Sequence, residues 1–448
     1  MNASPSPDLT GSSKLFSSAA QSFGARAFTL PVIAIAGLLL TRLVVGNVGE
    51  AGYATYALIV GLVALVPFLD LGIGAAVTDA VSRRDSSPAG DVASVIHRSV
   101  RILGLLALGV IAVSWIFAGL GLWSPILGVP DSSDVEIASA IGFTLFAISI
   151  PLSLGARVLQ GAERNYIAVG LQTLMALTGL FVVAIAAWLN APLWVYVSGP
   201  FLGAVVVALS TTLIASRVTG ISLFSSGTVA PSSSVTRLLP IAGPMVIISL
   251  AEPVAWQADR LILSHFATVN AVATYSLVFA LFAPLSSLVA ASGNSLWPLF
   301  AKRRVADTLR VRDLLTTTAG FAGLGVLLAG ALVVIGPFLT RFMSKGTINV
   351  PTSLFMAFGI VIIIVSAWAP SAMTLTYPKG LRFMAGLTLA QVVTNIPLSI
   401  VLASRYGAVG PIVASGIVIG LSFLIGLGYS ISLATRTPSG PGTFGDRN

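Results

Sequence analysis

Twelve stretches of mostly apolar residues run through this chain, each long enough, at about 20 residues, to cross the hydrocarbon core of a bilayer as a helix. They lie near 23–45, 54–82, 100–122, 137–160, 166–189, 193–215, 238–264, 271–299, 314–340, 352–377, 382–404 and 409–433. A backbone surrounded by lipid must satisfy its own hydrogen bonds, so these segments are expected to be helices in an all-α polytopic membrane protein. Composition agrees. Only 9% of the 448 residues are charged, against about 25% in soluble domains, and mean hydropathy is +0.97.

The connections are short, and none could hold a folded soluble domain. The expected organisation is a polar tail over 1–22, a first lobe of six spans over 23–215, a polar linker over 216–237, a second lobe of six spans over 238–433, and a tail over 434–448. The first 20 residues carry one lysine and no long apolar run. They do not read as a secretory signal, so insertion is expected to rely on the first span.

Lys and Arg positions orient the spans. With both termini cytoplasmic, 19 of the 24 basic residues fall inside, and only Arg42, Arg260, Arg341, Lys345 and Arg405 fall outside. The segment 120–136, with Asp131, Asp134 and Glu136 and no basic residue, falls outside too. This expectation places the chain in the cytoplasmic membrane. It also explains the net charge of +9 by the positive-inside rule, without nucleic acid as a partner.

Several chemistries are excluded. There is no cysteine, and the two histidines, His97 and His265, are too far apart for a short metal-binding motif. No G-x-x-x-x-G-K-[ST], G-x-S-x-G or H-E-x-x-H occurs, so neither a nucleotide-driven engine nor a soluble catalytic centre is expected, and no cofactor.

A shift of 219 residues superposes the two halves. ATYAL at 54–58 falls on ATYSL at 273–277, Pro151 on Pro370, Gly161 on Gly380 and Gln172 on Gln391. Arg83 and Arg84 fall on Lys302 and Arg303, and with one residue of slippage Arg42 meets Arg260. Six spans per copy is an even number, so the copies share orientation. Parallel repeats related by a pseudo-two-fold axis along the membrane normal are a transporter architecture, with a central cavity between the lobes.

Ionisable residues inside spans are costly and mark functional positions. Asp70 follows Pro67 in the second span. Glu252 stands about 21 Å into the seventh span, at about 1.5 Å per residue, directly before Pro253. It has no basic residue within a turn and is the favoured ion carrier, because protonation would remove its charge during transport. Asp259 and Arg260 follow near the outer end, and as successive helical residues they do not face each other. Arg26, Arg42 and Arg157 sit close enough to span edges to snorkel into headgroups instead. Gly416 and Gly420 read as helix packing, and Trp123, Trp194 and Tyr406 as interfacial anchors.

The run from Arg42 through VGNVGEAGYATYALIVGLVALVPFLDLGIGAAV resembles the second-helix entry of polysaccharide and O-antigen flippases. These belong to the multidrug/oligosaccharidyl-lipid/polysaccharide exporter superfamily. QADRLILSHFATVNAVATYSLVF at 257–279 is similar to the motif opening their second lobe. LQGAERN at 159–165, LWPLFAKRR at 296–304 and SRYGAVGPIVAS at 404–415 fit the same pattern. The resemblance implies a flippase that moves a polyprenyl-diphosphate-linked oligosaccharide to the outer leaflet by alternating access, driven by an ion gradient. It also implies membrane lipids, a polysaccharide polymerase and glycosyltransferases of the same pathway as partners.

On that implication, Arg26, Arg42, Arg157 and Arg260 are the candidates for the diphosphate, since arginine offers bidentate geometry to phosphate oxygens. Tyr56, Gln172, Tyr275, Gln391 and Asn395 are candidates for the sugar. Asp70, Glu252 and Asp259 are candidates for ion coupling. A cation-coupled multidrug or metabolite exporter of the same fold is the alternative. A polytopic glycosyltransferase or polymerase would need clustered catalytic residues on sizeable loops, which this chain lacks.

Overall fold

The computed structural model describes residues 9–65, 73–84, 89–221, 239–306 and 308–435, with side chains described from Thr29 onward except at a few positions within the helices. Helix is the only regular secondary structure among them. The first half contributes α1 (Leu9–Val63), α2 (Ile73–Ser82), α3 (Ala89–Gly119), α4 (Trp123–Leu127), α5 (Ser133–Leu152), α6 (Leu154–Gly161), α7 (Asn165–Trp188) and α8 (Leu193–Thr219). The second half contributes α9 (Leu239–Phe266), α10 (Val269–Asn294), α11 (Trp297–Val305), α12 (Val311–Met343), α13 (Thr352–Thr374), α14 (Pro378–Tyr406) and α15 (Val409–Ala434).

Ten helical segments among the described residues are long and apolar enough to cross a membrane. They match the expected first, third to sixth and eighth to twelfth spans. The expected second span is shared between the end of α1, the undescribed residues 66–72, and α2. The expected seventh coincides with α9. No loop separates the first two spans. Instead α1 breaks at Gly49, whose φ of 73° and ψ of −173° lie in a region open essentially to glycine alone.

The chain divides into two compact units. The first comprises Met1–Ala242 with Thr268–Ser276 and Arg341–Asn349. Its helices approach through small residues: a Cβ at Gly155 would strike the backbone of Thr212, and one at Gly203 the backbone of Met175. Close backbone approach of this kind is how helices associate where lipid supplies no hydrophobic drive. A buried apolar cluster that includes Ile96, Leu103, Val158 and Leu159 fills the space between α3, α5 and α6.

The second unit comprises Gly243–Ala267, Leu277–Thr340 and Val350–Asn448. Aromatic rings form its centre: Phe282 lies 5.2 Å from Phe358 and 5.4 Å from Trp256, centroid to centroid. Gly416 and Gly420 face Val361 and Ile364 of α13, and a Cβ at Gly410 would strike the backbone of Leu402, which ties α15 to α14. Trp123, in the first unit, departs from its expected place as an interfacial anchor. It is buried, stacks on Phe143 at 4.7 Å, and donates its indole N–H to the Ser114 carbonyl at 3.0 Å. Trp194 and Tyr406 are exposed.

Candidate functional site

Three helices of the second unit each bring polar side chains to one buried point. Asp259 on α9 is fully buried (0% exposed), and Asn395 and Ser399 on α14 and Ser415 on α15 are buried with it. Ser399 donates its hydroxyl to Asp259 Oδ1 and Ser415 donates to Asp259 Oδ2, each at 3.3 Å. Asn395 Nδ2 donates to Ser415 Oγ at 3.2 Å, and Asn395 Oδ1 lies 3.4 Å and 3.5 Å from the hydroxyls of Ser415 and Ser399. Asn395 and Ser399 are four residues apart, so helical spacing stacks them on one face of α14.

The result is a carboxylate with a hydroxyl on each oxygen and a carboxamide oxygen alongside. Every atom that could coordinate a cation there is oxygen, the donor type of hard cations and of proton carriers. Burying a carboxylate costs several kcal/mol unless it is paired, hydrogen-bonded or neutralised, and this shell supplies the hydrogen bonds. The next residue, Arg260, points elsewhere, as adjacent helical positions must. It is 8% exposed, and its guanidinium lies over the Phe279 ring at 4.5 Å.

The other expected site residues are dispersed. Arg42, half-buried in the first unit, lies over the Phe342 ring at 4.3 Å and donates to the Phe342 carbonyl. Nearby in the same unit, Asn270 donates to Glu50 at 2.7 Å, and Lys345 packs so closely over Gly46 that any side chain there would strike it. Arg157 is exposed on α6 and reaches Gln160 at 3.5 Å. Gln172 is exposed and Gln391 partly buried, whereas Tyr56 and Tyr275 are buried in the first unit. Arg26, Asp70 and Glu252 lie outside the residues whose side chains the structure describes.

Sequence reasoning missed three groups. Ser399 and Ser415 complete the shell of Asp259, and the only signal for Ser399 is its four-residue spacing from Asn395. Glu136, expected on an outer acidic loop, is buried. It accepts from the backbone N–H groups of Trp123 and Ser124 and from the Ser124 hydroxyl, between 2.8 and 3.1 Å, and so ties α5 to the start of α4. Arg304 donates to the carbonyls of Thr374 at 2.8 Å and Thr376 at 3.3 Å and lies over Tyr377, joining α11 to the turn before α14.

The family model described as "Polysaccharide biosynthesis protein" matches residues 28–304. No curated protein matches the chain in sequence. Among solved structures, the lipid II flippase MurJ in an inward closed conformation is similar at a TM-score of 0.71 and 12% identity, over 91% of this chain and 87% of that one. An inward-facing multidrug resistance MATE family transporter of the MOP superfamily gives 0.66 at 14% identity, over 93% of this chain and 99% of that one. The MATE transporter VcmN of Vibrio cholerae gives 0.64 at 17% identity, over 95% and 98%. At such identities the likeness establishes a shared fold.

Proposed function

The chain belongs to the polysaccharide biosynthesis protein family, and from that premise we propose that it flips a polyprenyl-diphosphate-linked oligosaccharide from the inner to the outer leaflet of the cytoplasmic membrane. It is a multi-pass membrane protein that shares the fold of known transporters, and we read it as a transporter rather than an enzyme. The observation that carries the substrate reading is the family match across 28–304 in a chain that shares its fold with the lipid II flippase MurJ.

The diphosphate is assigned first to Arg42, a partly exposed residue whose guanidinium offers bidentate geometry to phosphate oxygens. Arg26, Arg157 and Arg260 are further candidates. Coupling is assigned to Asp259 with Asn395, Ser399 and Ser415, which would hold a proton or a sodium ion through oxygen atoms alone. Without a nucleotide-binding motif, the chain draws on an ion gradient or on consumption of the flipped product. A polymerase and glycosyltransferases of a surface polysaccharide pathway such as that of O-antigen are the proposed neighbours.

Deleting the gene should strip the polysaccharide from the cell surface. The lipid-linked oligosaccharide should accumulate with its sugars closed to an impermeant lectin added outside. Normal surface polysaccharide and a normal lipid-linked pool would overturn the reading. The MATE likeness favours a second reading, a cation-coupled exporter, for which the same deletion would leave the polysaccharide intact and raise retention of a cationic dye. The proposed topology has both termini and the 120–136 segment on opposite sides. Single cysteines in this cysteine-free chain should label from outside with an impermeant thiol reagent at 120–136 and not at 85–95; the reverse pattern would invert the orientation.

A further inference from the structure

The second unit carries a basic groove of about 920 Å³ between α10, α11 and the start of α12, well separated in sequence from the Asp259 cluster. Among the described residues, Arg303, Arg310 and Arg312 line it against one carboxylate, Asp313. Asp313 pairs with Arg303 at 2.8 Å. Arg310 and Arg312 are exposed and make no side-chain hydrogen bond or ion pair among the described residues, so the described lining carries an excess of positive charge. Its walls are apolar: Phe300, Phe321 and Leu324.

Two further observations define the ligand. Hydroxyls of Ser292, Ser295, Thr316 and Thr317 also line the groove, but each donates to a carbonyl of its own helix segment. They therefore offer acceptor lone pairs, which suit a ligand bearing its own O–H groups, and they leave a phosphate to the arginines. The groove also continues onto an apolar stripe of α12. From Gly320 and Leu324 the same helical face runs through Leu327, Val334 and Phe338, which are 72%, 77% and 70% exposed. A free phosphate has no use for that stripe, whereas an acyl chain does.

We propose that this groove binds the headgroup of an anionic glycerophospholipid that carries hydroxyls, with the phosphate on Arg310 and Arg312 and an acyl chain along α12. Basic pockets between spanning helices at a membrane surface are known lipid-headgroup sites in physical terms. The site is separate from the transported substrate and does not depend on it. It gives the transporter a means of sensing the charge of the surrounding lipid.

The full chain, purified in detergent, is titrated with phosphatidylglycerol, phosphatidylcholine and soluble glycerol phosphate while bound lipid is counted by native mass spectrometry. Phosphatidylglycerol should be retained over phosphatidylcholine. The double variant Arg310→Gln/Arg312→Gln should weaken phosphatidylglycerol binding about 30-fold, since each arginine near a surface is worth roughly a factor of five. Gly320→Leu is the second variant: a Cβ there meets nothing within 4 Å, so it should fold normally and block the groove. Equal retention of both lipids, wild-type binding in both variants, or equal binding of glycerol phosphate would each overturn the assignment.

Discussion

The two copies of the internal duplication treat the same polar position in opposite ways. One residue of slippage aligns Asp259 and Arg260 with Thr41 and Arg42. In the second copy the aspartate is buried and shared with Asn395, Ser399 and Ser415. In the first copy Thr41 turns its hydroxyl back to the Gly37 carbonyl at 2.9 Å. The positions matching Asn395, Ser399 and Ser415 are Ala176, Leu180 and Tyr196. Both copies stack their arginine on a phenylalanine, Arg42 on Phe342 and Arg260 on Phe279. At these matching positions the first copy packs its helices without a carboxylate, so packing there does not require one. Its own buried carboxylate, Glu136, is held by the backbone N–H groups of Trp123 and Ser124 at a helix start. A costly group kept in one copy alone points to a task, which we take to be ion coupling.

The comparison can be broken most sharply at Asp259. Asp259→Asn keeps the shape and one of the two acceptor oxygens but removes the charge, and surface polysaccharide should fall at least about tenfold, the loss typical when groups around a bound ion are altered. Thr41→Val, at the matching position, should leave it unchanged. Equal effects of the two variants would dissolve the asymmetry. The arginines come next. Arg260→Ala removes a buried stack and should cost about 2 kcal/mol in thermal stability, while Arg42→Ala, half-exposed, should cost about 0.5–1 kcal/mol. Transport should follow the other order if Arg42 meets the diphosphate: Arg42→Lys should restore only part of the activity lost in Arg42→Ala, because lysine is a point charge. The smallest effect is expected at Ser399→Ala, about 0.6 kcal/mol by the average for polar contacts between spanning helices, together with a weakened response to the coupling ion. A stability loss without any change in ion response would make Ser399 a packing residue.

The fold was legible because lipid leaves the backbone so few choices: apolar runs of sufficient length become helices, and the duplication showed in Pro151/Pro370 and Gln172/Gln391. The site was legible only in part. Asp259 stood out as an ionisable residue inside a span, but its neighbours come from helices about 140 and 156 residues further on, and serines are too common in spans to attract notice. Asn395 reads from the sequence as a sugar contact, and only the fold brings it beside Ser399 and Ser415 around Asp259. Arg42 was identified, yet its partner Phe342 lies 300 residues away, beyond any spacing rule. The break at Gly49 and the burial of Trp123 depend on local backbone and ring packing, which a hydropathy pattern does not encode.

The most direct test reconstitutes the protein in liposomes with a short-chain polyprenyl-diphosphate-linked oligosaccharide and follows the sugars becoming accessible to an impermeant lectin. Sodium and proton gradients are imposed in turn. We expect translocation well above protein-free liposomes, faster under one of the two gradients, with Asp259→Asn flipping at the gradient-free rate throughout. Translocation no faster than in protein-free liposomes would contradict the flippase assignment. A full gradient response in Asp259→Asn would contradict the coupling role of the buried cluster.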